Sequence, residues 1–293
     1  MKDLLSPKQV ARAFNVSESS VKRWCDSGQI PTQYTVGGHR RINLSTMIAL
    51  VREGKHTLVH PEALGLPATS GQTIRVIDRA REQMTLALLE GEEARCRQLV
   101  IDLYLAEHSL SVICDGVLCA SFADIGDRWS CGTAEIYQER RGCEIALHIL
   151  KDLRSLIPST PTGAPLAMGG SPAGDLYSLG TAMAELVLRD SRWNAVSLGD
   201  NLPFHTLSAA IRTNHPKLFW LSCTYIADEQ AFLDGYRALY DEHSAEVAFV
   251  LGGFALSEEI RRKINYSAYC DNMQHLEGFS QTLRVALEKQ SPA

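Results

Sequence analysis

The stretch that decides the reading is residues 15–42, NVSESSVKRWCDSGQIPTQYTVGGHRRI. Ser17 stands where a helix N-cap belongs, and a helix over 18–26 follows, ended by Gly28. Ser19, Ser20, Lys22 and Arg23 fall on its exposed positions, with Val21 and Trp24 looking inward. Gly37-Gly38 then supplies a hairpin tip between short strands at 33–36 and 40–42. Upstream, Ser6-Pro7-Lys8-Gln9 is a capping box with proline at the first helical position. Downstream, a third helix is expected over 44–53.

Charge singles out this segment. The chain has 293 residues and a formal net charge of −5. Its first 56 residues nevertheless carry Lys2, Lys8, Arg12, Lys22, Arg23, Arg40, Arg41, Arg52 and Lys55 against Asp3, Glu18, Asp26 and Glu53. A positive module on an acidic chain points to a polyanion partner for that module alone. Hydroxyls and cations on a helix, with His39, Arg40 and Arg41 on a tight hairpin, suit base edges and phosphates of double-stranded DNA. Residues 4–54 resemble the winged helix-turn-helix of the MerR superfamily. That resemblance implies a regulator assembled as a dimer or tetramer on a palindromic operator.

Beyond this module, residues 57–72 are rich in Gly, Pro, Thr and Ser and read as a linker. Residues 73–157 show helical periodicity with breaks near Gly91, Ser109 and Gly132, suggesting a four-helix bundle with stripes such as Leu86, Leu89, Leu99, Leu103, Ile145 and Ile149. Residues 158–165 are a second linker. From 166 to 293, apolar runs at 166–168, 195–198, 218–221, 247–251 and near 269 alternate with helical patterns at 178–191, 205–214, 229–243, 257–264 and 275–289. Such alternation predicts a parallel, doubly wound, Rossmann-like sheet, whose ligands sit beyond the carboxyl ends of the strands. The expected fold is thus multidomain: winged helix-turn-helix, helical bundle and α/β domain.

Three signals lie at successive strand ends: Asp175-Leu176-Tyr177-Ser178-Leu179-Gly180, Ser222-Cys223-Thr224 and Gly252-Gly253. They resemble the acid-x-His-x-x-Gly loop, the serine beside the nucleotide tail, and the glycines that let that tail lie on the backbone in cobalamin-binding domains. With the N-terminal module, the architecture resembles the CarH-type light-sensing repressors, which use adenosylcobalamin to hold a DNA-binding tetramer. That family has a Trp followed by Glu-His in its bundle, where this chain has Trp129, Glu139 and Arg140. The resemblance therefore implies a cofactor site of Trp129, Glu139, Arg140, Asp175, Tyr177, Gly180, Ser222, Thr224, Gly252 and Gly253.

Two departures matter. The family's cobalt-ligating histidine is Tyr177 here. Neutral imidazole ligates well near pH 7, whereas a phenol, with an ordinary pKa of ~10, does so poorly unless ionised. Arg140 adds a permanent cation beside Glu139. Two outcomes stay open: cobalamin held without histidine ligation, or operation without cobalamin. Other tetrapyrroles are a further reading, since tyrosinate can ligate ferric haem and Cys131 could attach a bilin. So are a corrinoid carrier for methyl transfer, and a constitutive repressor whose α/β domain serves only oligomer contacts. His205 after the second strand could approach a pocket or cap the next helix.

No nucleophile–base pair, phosphate-binding loop or metal-ligand cluster stands out, which argues against an enzyme. Eight cysteines without paired spacing, no signal-like start and no long apolar run suggest a cytoplasmic protein with reduced thiols and no membrane partner.

Overall fold

A computed structural model describes residues 4–53, 56, 58–66 and 74–290. The chain divides into two units, Met1–Ser159 and Thr160–Ala293.

The first unit opens with β1 (Leu4–Leu5), α1 (Pro7–Ala13), α2 (Glu18–Asp26), β2 (Thr32–Tyr34), β3 (Arg40–Asn43) and α3 (Leu44–Arg52). Ser6 and Gln9 form the reciprocal capping box, and the Ser17 hydroxyl accepts from the Ser20 amide. β3 lies between β1 and β2 in an antiparallel sheet. The first wing strand ends at Tyr34 rather than at 36. The Thr35 carbonyl accepts from Gly38 N–H at 2.8 Å and its hydroxyl accepts from His39 N–H, so the turn already begins at Thr35. Trp24, expected inward, is half-buried with its ring 4.6 Å from that of His56. Cys25 takes the core position beside Val21.

Part of the expected 57–72 linker is packed structure. The Val59 and His60 amides both donate to the Ala13 carbonyl at 2.9 Å, a 3-10 turn covers Pro61–Leu64, and Leu64 and Leu66 are buried. Its apolar residues prevail over a composition that suggested solvent exposure. Residues 57 and 67–72 lie outside the described residues.

Next come α4 (Ile74–Glu90), α5 (Glu93–Leu105), α6 (Leu110–Ile113), α7 (Ala120–Ser130) and α8 (Ile136–Leu156). A π turn over Cys114–Cys119 joins α6 to α7, so the bundle has four helical rods. Leu86, expected in the core, is exposed; Ala80, Met84, Ala87 and Leu88 set the buried face of α4 instead. Leu99 is only half-buried, whereas Leu89, Leu103, Ile145 and Ile149 are in the core. Arg81 of α4 pairs with Asp124 of α7, whose carboxylate also accepts from Thr85. Arg52, ending α3, lies 4.1 Å over the Tyr104 ring and donates to the carbonyls of Tyr104 and His108 at 2.9 and 3.2 Å.

The second unit comprises β4 (Leu166–Gly170), α9 (Leu179–Asp190), β5 (Asn194–Ser197), α10 (Phe204–Asn214), β6 (Leu218–Ser222), α11 (Glu229–His243), β7 (Ala248–Gly252), α12 (Glu258–Arg261), β8 (Ala268–Cys270) and α13 (Met273–Gln290). The strands are parallel in the order β5-β4-β6-β7-β8. One face packs Phe219, Phe249, Phe232 and Tyr236 under α10 and α11; the other packs Trp193, Trp220, Ala184 and Leu276 under α9 and α13. Strand order reverses between β4 and β6, and open parallel sheets bind ligands in the crevice above such a reversal.

Candidate functional site

The candidate residues fall in three places: the N-terminal module, the bundle and the second unit. On the N-terminal module, Ser19 and His39 are exposed, and Ser20 and Arg41 are partly so. The serine hydroxyls form a local cluster, Ser17 with Ser19 at 3.0 Å and with Ser20 at 2.9 Å. Lys22 pairs with Glu18 at 2.9 Å, holding that carboxyl below its ordinary range. Arg23 reaches the Ser20 hydroxyl at 3.4 Å. Arg40 is engaged within the module: its guanidinium donates to Asp26 at 2.7 and 3.3 Å, which raises its pKa, and lies over the Tyr34 ring. The ion pair fastens the wing to the end of α2. Arg41 donates to the Arg40 carbonyl, with no other bond to a described residue, and is better placed to meet a phosphate. Val36, fully exposed at the wing tip, and Tyr34 beside it were not anticipated.

In the bundle, Trp129 stands in the last turn of α7 at 55% exposure. Glu139, half-buried, closes the first turn of α8, and Arg140 after it is exposed. Ile136 and Tyr137 are also exposed there. Cys131 is an exposed free thiol.

The second unit gathers its candidates at the carboxyl ends of β4, β6 and β7. Asp175 is fully buried. One carboxylate oxygen accepts from Tyr177 N–H at 3.0 Å, the other from Thr224 and Tyr225 N–H at 2.6 and 3.1 Å. Its own carbonyl accepts from Asn201 N–H, and the Asn201 side chain accepts from Gly174 N–H. The carboxylate thus ties the loop after β4 to the loop after β6, and the Asp175 carbonyl with the Asn201 side chain adds the loop after β5. Tyr177 is half-buried, its carbonyl accepting from the Ser171 hydroxyl at 3.4 Å. Leu176, Tyr225 and Phe254 stand out on these loops at 67, 52 and 97% exposure. Periodicity could not reveal this apolar rim, because all three residues lie in loops.

The glycines expected to leave room for a ligand are filled by the chain itself. A Cβ on Gly180 would meet the Ser222 hydroxyl at 2.5 Å, and one on Gly253 would meet the Cys223 carbonyl oxygen at 2.3 Å. Gly253 also sits at φ +116°, which side chains other than hydrogen rarely adopt. A Cβ on Gly252 would lie 3.1 Å from the Cys270 carbonyl. Burial pushes the Cys223 thiol well up, keeping it neutral. His205 is exposed in the first turn of α10 and does not cap it; the N-cap is Pro203, with no side-chain bond. Among the described residues no group of His, Cys, Asp and Glu could hold a metal ion, and no helix is long and apolar enough to cross a membrane.

Residues 4–55 match a family described as "Helix-turn-helix domain", and residues 80–151 match "B12 binding domain". No curated protein matches the chain. Among solved structures, the chain is similar to the monomethylamine corrinoid protein of Methanosarcina barkeri, with 17% identity and a TM-score of 0.59 over 71% of this chain and 98% of that one. It also matches a cobalamin-binding protein from Desulfitobacterium hafniense (15%, TM-score 0.37, 72% of this chain, 97% of that one). A third match is the Methanosarcina barkeri methanol:cobalamin methyltransferase complex MtaBC (15%, 0.39, 82% and 93%). The chain therefore joins a helix-turn-helix domain to a B12-binding-type fold, a bundle followed by a Rossmann-like parallel sheet.

Cobalamin itself is a poor match to the residues present. Tyr177 offers no imidazole, and the notches at Gly180 and Gly253 are taken by Ser222 and the Cys223 backbone.

Proposed function

We propose that the chain is a DNA-binding transcriptional regulator, a repressor of the MerR superfamily and CarH type, whose C-terminal sensor fold has parted from cobalamin. The observation that carries this reading is the join itself: a helix-turn-helix module with exposed Ser19 and His39 and a partly exposed Arg41 precedes a corrinoid-protein fold in one polypeptide. Ser19, Ser20, Lys22 and Arg23 would face the major groove, and His39, Arg40 and Arg41 the backbone or minor groove. A single module makes few phosphate contacts, so a homo-oligomer on a palindromic operator, working in the cytoplasm, completes the proposal.

The test is selection of bound sequences from a random double-stranded pool by the purified chain. Enrichment of an inverted repeat with half-sites about one helical turn apart supports the proposal. Recovery of unenriched DNA, or none, sinks it.

A second reading has the apolar rim of Leu176, Tyr225 and Phe254 in its favour: these three side chains suit the face of a planar tetrapyrrole other than cobalamin. Colour in the purified protein, with a haem or bilin spectrum, would support it. A corrinoid carrier fits the fold equally, but the loop that would ligate cobalt carries Tyr177.

A further inference from the structure

The crevice above the β4–β6 reversal is where a doubly wound sheet receives a ligand, and its depth is set by what fills the space between α9 and the sheet. That space is occupied by protein. Trp220, on β6, is paired in register with Gly169 of β4, and its indole covers that glycine so closely that a Cβ there would lie 2.2 Å from the ring. The indole N–H donates to the Thr181 hydroxyl of α9 at 2.9 Å, and that hydroxyl meets Ser197 of β5 at 3.1 Å. Trp220 is buried and its one polar atom is satisfied. Two residues on, Ser222 reaches the notch at Gly180. Above both, Asp175 bonds the β4 loop to the β6 loop.

We infer that Trp220, with Ser222 and Asp175 above it, shuts the β4–β6 crevice, so that the second unit does not admit the nucleotide tail of a cobalamin and accepts a corrinoid only without that tail. The replacement of histidine by Tyr177 is then one of two independent obstacles. Restoring the imidazole alone does not restore cobalamin binding.

The test uses the full chain, incubated in the dark with hydroxocobalamin or with cobinamide, which lacks the nucleotide tail, then desalted and read by absorption. Wild type and Tyr177→His should retain no hydroxocobalamin, and Tyr177→His should hold cobinamide at least tenfold more tightly. The double variant Tyr177→His/Trp220→Val should gain hydroxocobalamin at least tenfold over Tyr177→His. Stoichiometric hydroxocobalamin on wild type or on Tyr177→His overturns the inference. So does equal retention of the two corrinoids, or of neither, by Tyr177→His. If the double variant does not fold, the comparison of the two corrinoids on Tyr177→His decides alone. DNA binding by the same preparations is a separate readout: its failure removes the regulator reading and leaves the closed crevice standing.

Discussion

The guanidinium of Arg52 lies 4.1 Å over the Tyr104 ring while it donates to two carbonyls at the end of α5. A residue of the helix-turn-helix module thereby caps a bundle helix, with its charge at the negative end of that helix. Arg52→Ala should cost about 2 kcal/mol through loss of the cation–ring contact and the charged hydrogen bonds, and Arg52→Lys about half as much. Chemical denaturation of the full chain followed by circular dichroism measures this. Equal stability of wild type and Arg52→Ala would show the contact to be idle.

Asp175 should be intolerant of a change that preserves its shape. Asn offers one acceptor oxygen where three backbone N–H groups now converge on two. Asp175→Asn should lower unfolding free energy by about 3 kcal/mol and speed amide exchange at Tyr177, Thr224 and Tyr225 together. Faster exchange at only one of the three would show that the loops are not coupled.

Gly253 and Gly278 form a matched pair. Gly253→Ala would force a Cβ onto the Cys223 backbone at a φ of +116°, at a cost of about 3 kcal/mol. Gly278, inside α13, has open space around it, and Gly278→Ala should stabilise by about 0.5–1 kcal/mol. Urea midpoints of the two variants should move in opposite directions.

Acid should weaken the α4–α7 contact. Hydrogen bonding and attraction from Arg81 hold the Asp124 carboxyl below its ordinary range. A carboxyl depressed in the folded state contributes stability above its unfolded pKa, and loses it as pH falls through the folded one. The effect therefore appears below about pH 4 and, with Arg81 largely exposed, amounts to no more than about 1 kcal/mol. Asp124→Asn should flatten the stability profile in that window, standing below wild type by that same small amount at neutral pH and converging with it in acid.

On DNA, Arg41→Ala should reduce the slope of log affinity against log salt by about 1. Asp26→Asn, by freeing Arg40 from its carboxylate partner, should steepen that slope and raise affinity for non-specific DNA. An unchanged slope for both variants would place the wing away from the phosphates.

Legibility in sequence followed the range of the forces involved. Helix α2 is where its Ser17 cap and 3.6-residue period place it, because both signals are local. The order of strands and helices in the second unit was readable from apolar runs for the same reason. The packed 58–66 segment was not, since its partner is the Ala13 carbonyl many residues earlier. Leu86 was misplaced because two overlapping apolar stripes on α4 compete, and only the neighbouring helices decide between them. At the strand ends, motif order indicated a ligand cradle, but the indole of Trp220 and the hydroxyl of Ser222 come from a strand remote in sequence from the glycines they cover.

The π turn at Cys114–Cys119 sets how the rod tolerates a change in length. A regular α-helix advances its side chains by about 100° per residue, so an added residue would swing everything after it off its neighbours. Six residues wound more widely take up such an addition locally, leaving α6 in phase with α5 and α7 in phase with α4 and α8. The rod therefore behaves as a spliced length of helix, each half keeping its own rotational phase. Shortening the chain by one residue within 114–119 should be absorbed as an ordinary α-helical turn, while the same deletion a few residues later would scramble the bundle.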